Sequence, residues 1–288
     1  MGPTHNFVPA YFLGDNMRTV RFELLRPDEI LAERRRCPVV YQPVGPLEWH
    51  GPHMPFGMDP LHAEAIARRV AESVGGVVMP TLFWGAEREL SPEKLRNIGF
   101  DEEQWIIGMD YPANSMRSMY SQEDIFGLVV RARLDLLVRQ EYRLIVIVNG
   151  HGAPNHMATL DRLAVEFTAQ TPSRVIFLTA FVPDTDDGRY TGIGHADAIE
   201  TSIMMALYPD AVDLSTLPPL PEPLRNVDWG IVDGPTFAGR PSPQRTLAPE
   251  SDPRLHASAE RGEHIMAQTA AWIGEQVKAA LQELDAKR

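Results

Sequence analysis

The chain of 288 residues carries a net charge of −12, and 44% of its residues are apolar. This length suits one large α/β domain with a buried core, and we expect a single domain over residues 1–288. The negative charge argues against nucleic acid as a partner, because phosphate contacts need a basic surface, and against an anionic membrane surface.

A single cysteine, Cys37, excludes an intramolecular disulfide and a cysteine metal cluster. It directly precedes the apolar run from Pro38 to Tyr41, which indicates a structural thiol rather than a catalytic one. The amino-terminal residues lack the pattern of a signal peptide, and the chain has no apolar stretch of about 20 residues that could span a bilayer. We therefore expect a cytoplasmic protein without a membrane partner.

Apolar patterning predicts strands that alternate with helices, between less regular segments. Strands are predicted at residues 39–44, 77–83, 144–148 and 175–179. Helices are predicted at residues 59–74, 122–141, 156–169, 196–207 and 257–284. Residues 1–21 are expected to form an irregular arm, residues 84–120 an insert, and residues 217–253 a proline-rich loop region. The alternation predicts the α/β class, with three α/β/α layers and a mostly parallel central sheet that binds ligands at the carboxyl ends of its strands.

The helix predicted over residues 122–141 is amphipathic, and one apolar face is expected to point inward. The inward residues would be Ile125, Leu128, Val129, Ala132, Leu136 and Leu137.

The next strand, residues 144–148, is continuously apolar and rich in β-branched residues, as expected for a strand buried on both faces of a parallel sheet.

Carboxylate and imidazole side chains follow the first predicted strand. Glu48 and His50 lie two residues apart in an extended loop, so their side chains point the same way and can reach one site. Asp59 is expected to cap the next helix, with Pro60 in its first position, and its two oxygens could bridge two cations. Taken singly, the first pair could be a solvated turn and Asp59 no more than a helix cap.

The third and fourth predicted strands are followed by further groups of this kind. His151 lies between Gly150 and Gly152. Glycines allow backbone conformations that a histidine buried only for packing would not need. His195 and Glu200 are five residues apart and do not share a helix face, so His195 must lie on the loop or cap if both enter one site. Glu200 alone could face water. Because all of these side chains fall at strand ends, we predict a metal site, and the mixed ligands suit Zn²⁺, Mn²⁺ or Fe²⁺ better than Ca²⁺ or Mg²⁺.

Three blocks of residues resemble the creatininase (creatinine amidohydrolase) family, in the family's order along the chain. The blocks are Glu48-Trp49-His50-Gly51-Pro52-His53 leading to Asp59, then Asn149-Gly150-His151-Gly152, and then His195 leading to Glu200-Thr201-Ser202. Also similar to the family, in its closing segment, are Asp252-Pro253, Ala257 and Glu260-Arg261-Gly262. The resemblance implies an α/β/α fold, frequent assembly into hexamers, and a centre of two divalent metal ions per subunit, which would be zinc, manganese or iron.

The resemblance also implies a role for each ligand. Glu48, Asp59 and His151 would hold one ion, and His50 and Asp59 the other, so that Asp59 is the bridge. Glu200 would be a ligand of the second ion or a neighbour of the bridging water, where it could act as a catalytic residue that accepts a proton.

Two further histidines are placed by the same resemblance. His195 is similar to the family histidine that handles protons near the scissile bond, and an ordinary pKa of about 6.5 suits that catalytic step. His53 would lie next to the ligands without binding an ion itself.

The chain departs from the family at Ala153, where creatininases carry a glutamate two residues after the metal-binding histidine. It departs again at residues 111–115, after an apparent insertion over residues 87–109. The first departure argues against creatinine as the substrate, and the second predicts a different substrate pocket.

The expected function is metal-dependent hydrolysis of a small polar molecule, in which a water shared by two cations attacks a carbonyl carbon. The expected substrate is a cyclic amide, an amide, a formamide or a related carbonyl compound, and ring opening of an oxidised inositol is an alternative. Two alternative functions remain open, a metal-dependent isomerase or lyase acting on a sugar and a metal-stabilised subunit without activity.

Side chains of the insert either line a pocket for a polar or anionic ligand or form an oligomer contact. These are Arg88, Lys94, Arg96, Trp105, Tyr111, Arg117 and Tyr120.

Overall fold

A parallel sheet lies between two layers of helices, so the predicted three-layer α/β/α fold is confirmed. The computed structural model describes residues 18–98, 100–103, 110, 116–183, 195–226, 245–246 and 248–286. The predicted arm over residues 1–21 falls mostly outside these ranges, and a short 3-10 turn over Phe22–Leu24 follows it.

Five strands form the sheet within the described residues, and all of their pairings are parallel. They are β1 (Val39–Gly45), β2 (Val77–Val78), β3 (Leu82–Phe83), β4 (Leu144–Asn149) and β5 (Arg174–Thr179). The order is β2-β1-β4-β5, and β3 lies beside the carboxyl end of β1. The central strands β1 and β4 are buried along their whole length, which explains why their sequences are mainly apolar.

The strand predicted over residues 77–83 is divided into β2 and β3. Pairing with β1 stops after Val78 and resumes at Leu82. Pro80 lies between them, and its lack of an N–H prevents it from donating to a strand ladder. The prediction of one continuous strand is therefore wrong at its centre.

Helices cover both faces of the sheet. They are α1 (Pro27–Arg36), α2 (Met58–Val74), α3 (Pro92–Ile98), α4 (Glu123–Arg139), α5 (Pro154–Gln170), α6 (Ala198–Leu207), α7 (Pro253–His256) and α8 (Ala259–Ala286). On one face α2, α6 and α8 pack against one another, and on the other face α4 packs against α5. The helices predicted at α2, α4, α5 and α6 are present with small differences at their ends.

The apolar face predicted for α4 is largely not the buried one. Ile125, Leu128 and Leu136 are exposed. The large side chains of α4 that the core buries are Phe126, Val130, Leu134 and Leu137. Both sets recur at helical spacing, so periodicity alone could not decide which face packs inward.

Three further elements differ from expectation. Helix α3 lies within the insert, contrary to the expectation of an irregular segment. In the proline-rich region, β6 (Arg225–Asn226) pairs antiparallel with β7 (Arg245–Thr246). The helix predicted at residues 257–284 is divided into α7 and α8, because Ala257 adopts an extended backbone conformation. Among the described residues, none of the helices is long and apolar enough to cross a membrane.

Candidate metal centre

The loop after β1 carries Glu48 and His50 into the interior. Its backbone is held on two sides, because Glu48 N donates to Phe56 O over 2.9 Å and Trp49 N donates to Ser118 Oγ over 2.8 Å. Both side chains are buried, and they point to the same place. The expectation from their spacing is therefore met.

Asp59 lies in the first turn of α2 rather than at its cap, so the prediction of a cap is wrong. Gly57 is the N-cap, and the helix begins at Met58. This turn closely approaches the ends of β1 and β4: a Cβ at Gly45 would lie 2.9 Å from Asp59 Cβ, and one at Gly150 would lie 2.1 Å from Asp59 O. Gly150 is thus required for close packing, and its φ is not in the left-handed region.

The two oxygens of Asp59 face two different histidines. Oδ1 lies 3.1 Å from Nε2 of His50, and Oδ2 lies 3.0 Å from Nδ1 of His151. Oε2 of Glu48 lies 3.2 Å from Nδ1 of His151 and 3.7 Å from Nε2 of His50. Oε2 of Glu200 lies 3.8 Å from Nε2 of His50. The structure thus brings together the five residues that the sequence predicts as ligands.

These side chains form two ligand groups that share Asp59. One consists of Glu48, Asp59 and His151 and the other of His50, Asp59 and Glu200, and within each group the ligand atoms lie within 4.8 Å of one another. Nδ1 of His50 donates to the backbone O of Glu48 over 3.0 Å, which leaves Nε2 with a lone pair. This Nε2 is buried and has no hydrogen-bond partner among the described residues. Amid these carboxylate oxygens, Nε2 of His50 is stable when it holds a cation, either a proton or a metal ion, so the donor set fits divalent metal ions.

The ligand groups attract positive charge strongly. Burial lowers the pKa of His50, but the carboxylates of Asp59, Glu200 and Glu48 outweigh it and raise this pKa to about 10. Burial raises the pKa of Glu200 to about 8. Burial also opposes ionisation of Asp59, but His50 and His151 hold the pKa of that carboxyl below its ordinary range. A centre that draws protons onto its ligands binds divalent cations in competition with those protons.

Hydrogen bonds from neighbouring residues orient two of the carboxylates. The hydroxyl of Tyr120 donates to Oε1 of Glu48 over 2.5 Å, so Oε2 is the oxygen that faces the histidines. Ala196 N donates to Oε2 of Glu200 over 2.6 Å. Asp197 caps α6 and accepts from the backbone N of Glu200, which fixes that residue in the first turn.

His151 is held by a network that sequence reasoning missed. Oδ1 of Asn149 accepts from His151 N over 3.1 Å, and Nδ2 of Asn149 donates to His151 O over 2.5 Å. His156 on α5 donates from Nε2 to the same Oδ1 over 2.9 Å and accepts at Nδ1 from Ala86 N over 3.2 Å. Burial holds the pKa of His156 well below its ordinary value, so this ring is neutral. The place of Asn149 in the second sequence block was the available signal.

His195 lies on the loop before α6, which allows it and Glu200 to reach the same cavity. Its Nε2 donates to the backbone O of Trp49, and its ring centroid lies 4.2 Å from that of His50. With Glu48 and His50 it forms a third group whose ligand atoms lie within 4.8 Å of one another. Burial lowers the pKa of His195 to about 4, so the ring is neutral at pH 7.

His53 lies outside the ligand groups and connects their loop to α6. Its Nε2 lies 2.9 Å from Oγ1 of Thr201, within hydrogen-bond distance. Gly51 adopts a φ of 75°, and a Cβ there would lie 2.9 Å from Nδ1 of His53. Burial lowers the pKa of His53 to about 3.

A cavity of about 210 Å³ opens onto the ligands. Its walls include four of the five predicted ligands, together with His195 and the loop between β4 and α5. Ala153 is part of that loop, so the position that departs from the family pattern lies in the cavity wall and brings no carboxylate. Glu87 and Arg88, which come from the insert, complete the lining.

The insert side chains predicted to line a pocket have different surroundings. Arg88 lines the cavity, and Tyr120 contacts a candidate ligand. Arg96 forms an ion pair at 2.5 Å with an acidic side chain of the insert. The guanidinium carbon of Arg117 lies 4.6 Å from the centroid of a phenyl ring in the insert. Trp105 and Tyr111 lie outside the described residues, as does the side chain of Lys94 on α3.

Fold and site together define an α/β/α protein that can bind divalent metal through buried carboxylates and imidazoles at the carboxyl ends of its strands. The creatininase family model, described as creatinine amidohydrolase, matches residues 23–277. The chain therefore belongs to the creatininase family of hydrolases, and the resemblance found in the sequence is confirmed.

Individual relatives agree with this assignment. The creatinine amidohydrolase of Pseudomonas putida is 29% identical over 245 residues, which cover 79% of this chain and 84% of the relative. The 3-dehydro-scyllo-inosose hydrolase of Thermotoga maritima is 25% identical over 200 residues, which cover 66% of this chain and 57% of that protein. A crystal structure of creatininase matches with a TM-score of 0.62 and 26% identity over 92% of this chain and 98% of the other. A manganese form of creatininase matches with a TM-score of 0.62 and 27% identity over 91% of this chain and 99% of the other.

Proposed function

We propose that this protein uses two divalent metal ions per subunit, which would be zinc, manganese or iron, to hydrolyse a small polar carbonyl compound. The main support is the position of Asp59, whose two oxygens lie 3.1 Å and 3.0 Å from histidine nitrogens of two separate ligand groups. Two ions held by these groups would lower the pKa of a water and polarise a carbonyl group.

In this proposal each of the two ligand groups binds one of the two ions. Glu48, Asp59 and His151 would hold one ion, and His50, Asp59 and Glu200 would hold the other. Ala196 N fixes one oxygen of Glu200, and the second oxygen of this carboxylate is the candidate to accept a proton from the attacking water.

His195 is the second candidate for proton transfer. Its Nε2 is fixed by the backbone O of Trp49, so Nδ1 is the ring atom that can exchange a proton with the reacting molecule. Because burial lowers its pKa to about 4, His195 is neutral at pH 7 and must accept a proton before it can donate one to the leaving group.

The relatives indicate the class of substrate. One is named for creatinine and the other for 3-dehydro-scyllo-inosose, and both molecules are small rings that contain a carbonyl group. We therefore infer ring-opening hydrolysis at a cyclic carbonyl. Ala153 leaves the cavity wall without the glutamate that creatininases carry there, which argues against creatinine itself.

The reaction can be tested by incubating the metal-loaded protein with cyclic amides, formamides and cyclic polyhydroxy ketones in ¹⁸O-labelled water. Hydrolysis of a cyclic substrate predicts a product heavier by one water, and hydrolysis of a formamide predicts formate and an amine, with the solvent oxygen in the new carboxylate in both cases. A product of unchanged mass would instead support a sugar isomerase, and an ion-loaded protein that converts none of these compounds would contradict the proposal. The His151→Ala variant serves as the control without a complete ligand group.

We also propose that the subunits associate, with a hexamer as the expected state. Ile125, Leu128 and Leu136 share one face of α4 and are each more than 40% exposed, an arrangement typical of contact surfaces. Light scattering of the purified protein would give the mass of the assembly. We expect Leu128→Glu to lower that mass, and an unchanged mass would exclude this face as the contact.

A further inference from the structure

The insert brings two oppositely charged neighbours, Glu87 and Arg88, into the wall of the cavity. They follow β3, which pairs with the carboxyl end of β1. Ala86, the preceding residue, is fixed by a hydrogen bond from its N to Nδ1 of His156 and by a bridge to Ser121. These contacts fix the backbone next to Glu87 and Arg88, so both residues reach the cavity in a defined position.

The carboxylate of Glu87 is buried and oriented. The side chain is only 4% exposed, and its Oε1 accepts from the backbone N of Arg88 over 2.6 Å. Nε of Arg88 lies 3.4 Å from the same oxygen, a long contact, and the Arg88 side chain is 53% exposed. A buried carboxylate thus lies beside a guanidinium that reaches both the cavity and solvent.

This pair restricts the charge of a molecule in the cavity. The negative charge of Glu87 and the positive charge of Arg88 compensate each other, so the pair gives neither anions nor cations a net advantage and favours a molecule without net charge. The cavity of about 210 Å³ is smaller than an ordinary drug-sized pocket, and the other lining residues from the loop after β4 are three small ones and a proline. The space suits a small polar ring rather than a long or apolar chain.

Hydroxyl groups fit the pair better than amide groups do. A carboxylate only accepts hydrogen bonds, and a guanidinium only donates them. A hydroxyl can do both at once, whereas a cyclic amide would place its one carbonyl oxygen at the ions in the proposed reaction and leave only N–H donors for the pair. Two hydroxyls on neighbouring carbons could therefore bond to Glu87 and Arg88 together.

We propose that Glu87 and Arg88 are specificity-determining residues that recognise neighbouring hydroxyl groups of a neutral polyhydroxylated ring. This inference rests on the proposed function, because it assigns the substrate class of the same cavity. The recognition can nevertheless be measured as binding, separately from turnover.

The experiment is calorimetric titration of the zinc-loaded protein with myo-inositol, creatinine and succinate as probes. We expect myo-inositol to bind most tightly. Glu87→Gln and Arg88→Gln should each weaken that binding by about 10- to 100-fold, the effect of losing a hydrogen bond to a charged group. Arg88→Lys, which keeps the charge but loses the planar fork, should fall between the wild type and Arg88→Gln. The zinc content should stay the same in all three variants.

Arg96 and Glu102 provide a matched control, since they form an ion pair in the same insert but do not line the cavity. Arg96→Gln and Glu102→Gln should leave the affinity for myo-inositol unchanged. Absence of myo-inositol binding, tighter binding of creatinine or succinate, or equal affinity in the Glu87 and Arg88 variants would overturn the inference. Binding of myo-inositol through this pair without hydrolysis of any polyhydroxy ketone would instead count against the proposed function alone.

Discussion

Asp59 belongs to both ligand groups, so its replacement tests the proposed shared centre most directly. A cation at 100 times its dissociation constant stabilises a folded protein by about 2.7 kcal/mol per site, and two sites by about 5 kcal/mol. The entropy of unfolding is about 2.1 cal/mol/K per residue, which for 288 residues gives about 0.6 kcal/mol/K. We therefore expect two bound ions to raise the Tm by about 9 °C.

The assay is a thermal unfolding scan of chelator-treated protein before and after addition of zinc, with the bound zinc counted by elemental analysis. The wild type should bind two ions and show the full shift. Asp59→Asn keeps the shape of the side chain but removes the charge that both groups need, so it should lose both ions and nearly all of the shift. Asp135→Asn, a change on the exposed side of α4, should behave as the wild type. Retention of the full shift by Asp59→Asn would refute the shared carboxylate.

Three further predictions concern other residues of the site and its surroundings. His151→Ala should lose both metal uptake and turnover, whereas His195→Ala should lose turnover and keep two ions in elemental analysis; loss of an ion would show that His195 is a ligand. Tyr120→Phe removes the hydrogen bond to Glu48 and should weaken zinc binding by about 10-fold in a chelator competition, while an unchanged affinity would contradict the orienting role. Burial lowers the pKa of His62 from 6.5 to about 4, so the unfolded chain takes up a proton first as the pH falls. Stability should therefore decrease by up to about 3 kcal/mol between pH 6.5 and 4 in urea titrations, and His62→Leu should reduce this decrease.

The convergence of the candidate ligands could be predicted from the sequence because the rule behind it is topological. Glu48 and His151 lie about a hundred positions apart, but they follow β1 and β4, which are neighbours at the centre of the sheet. In a parallel sheet the carboxyl ends of neighbouring strands meet at one edge. Apolar runs were enough to identify both central strands, so the meeting of their loops could be foreseen without coordinates.

Features that depend on packing could not be predicted in the same way. Both faces of α4 carry apolar side chains at helical spacing, and only contact with α5 shows that Phe126 is buried and Leu128 is not. Asp59 has the side chain of a helix cap, but the close approach of Gly150 to its backbone depends on how α2 meets the strand ends. The hydrogen bond between Tyr120 and Glu48 joins residues 72 positions apart, and no spacing rule connects them.

The same distinction explains why the convergence of the candidate ligands was easier to predict than the substrate. The candidate ligands follow the central strands, begin α2, which packs on these strands, or begin α6, which packs on α2 and α8, so the core fixes their positions. Glu87 and Arg88 follow β3, a strand of two residues that pairs with the end of β1. Such a loop can change its side chains at little cost to the core, which is how one scaffold accommodates different substrates. Substrate preference is therefore expected to depend on the insert, and ion binding on the strand ends.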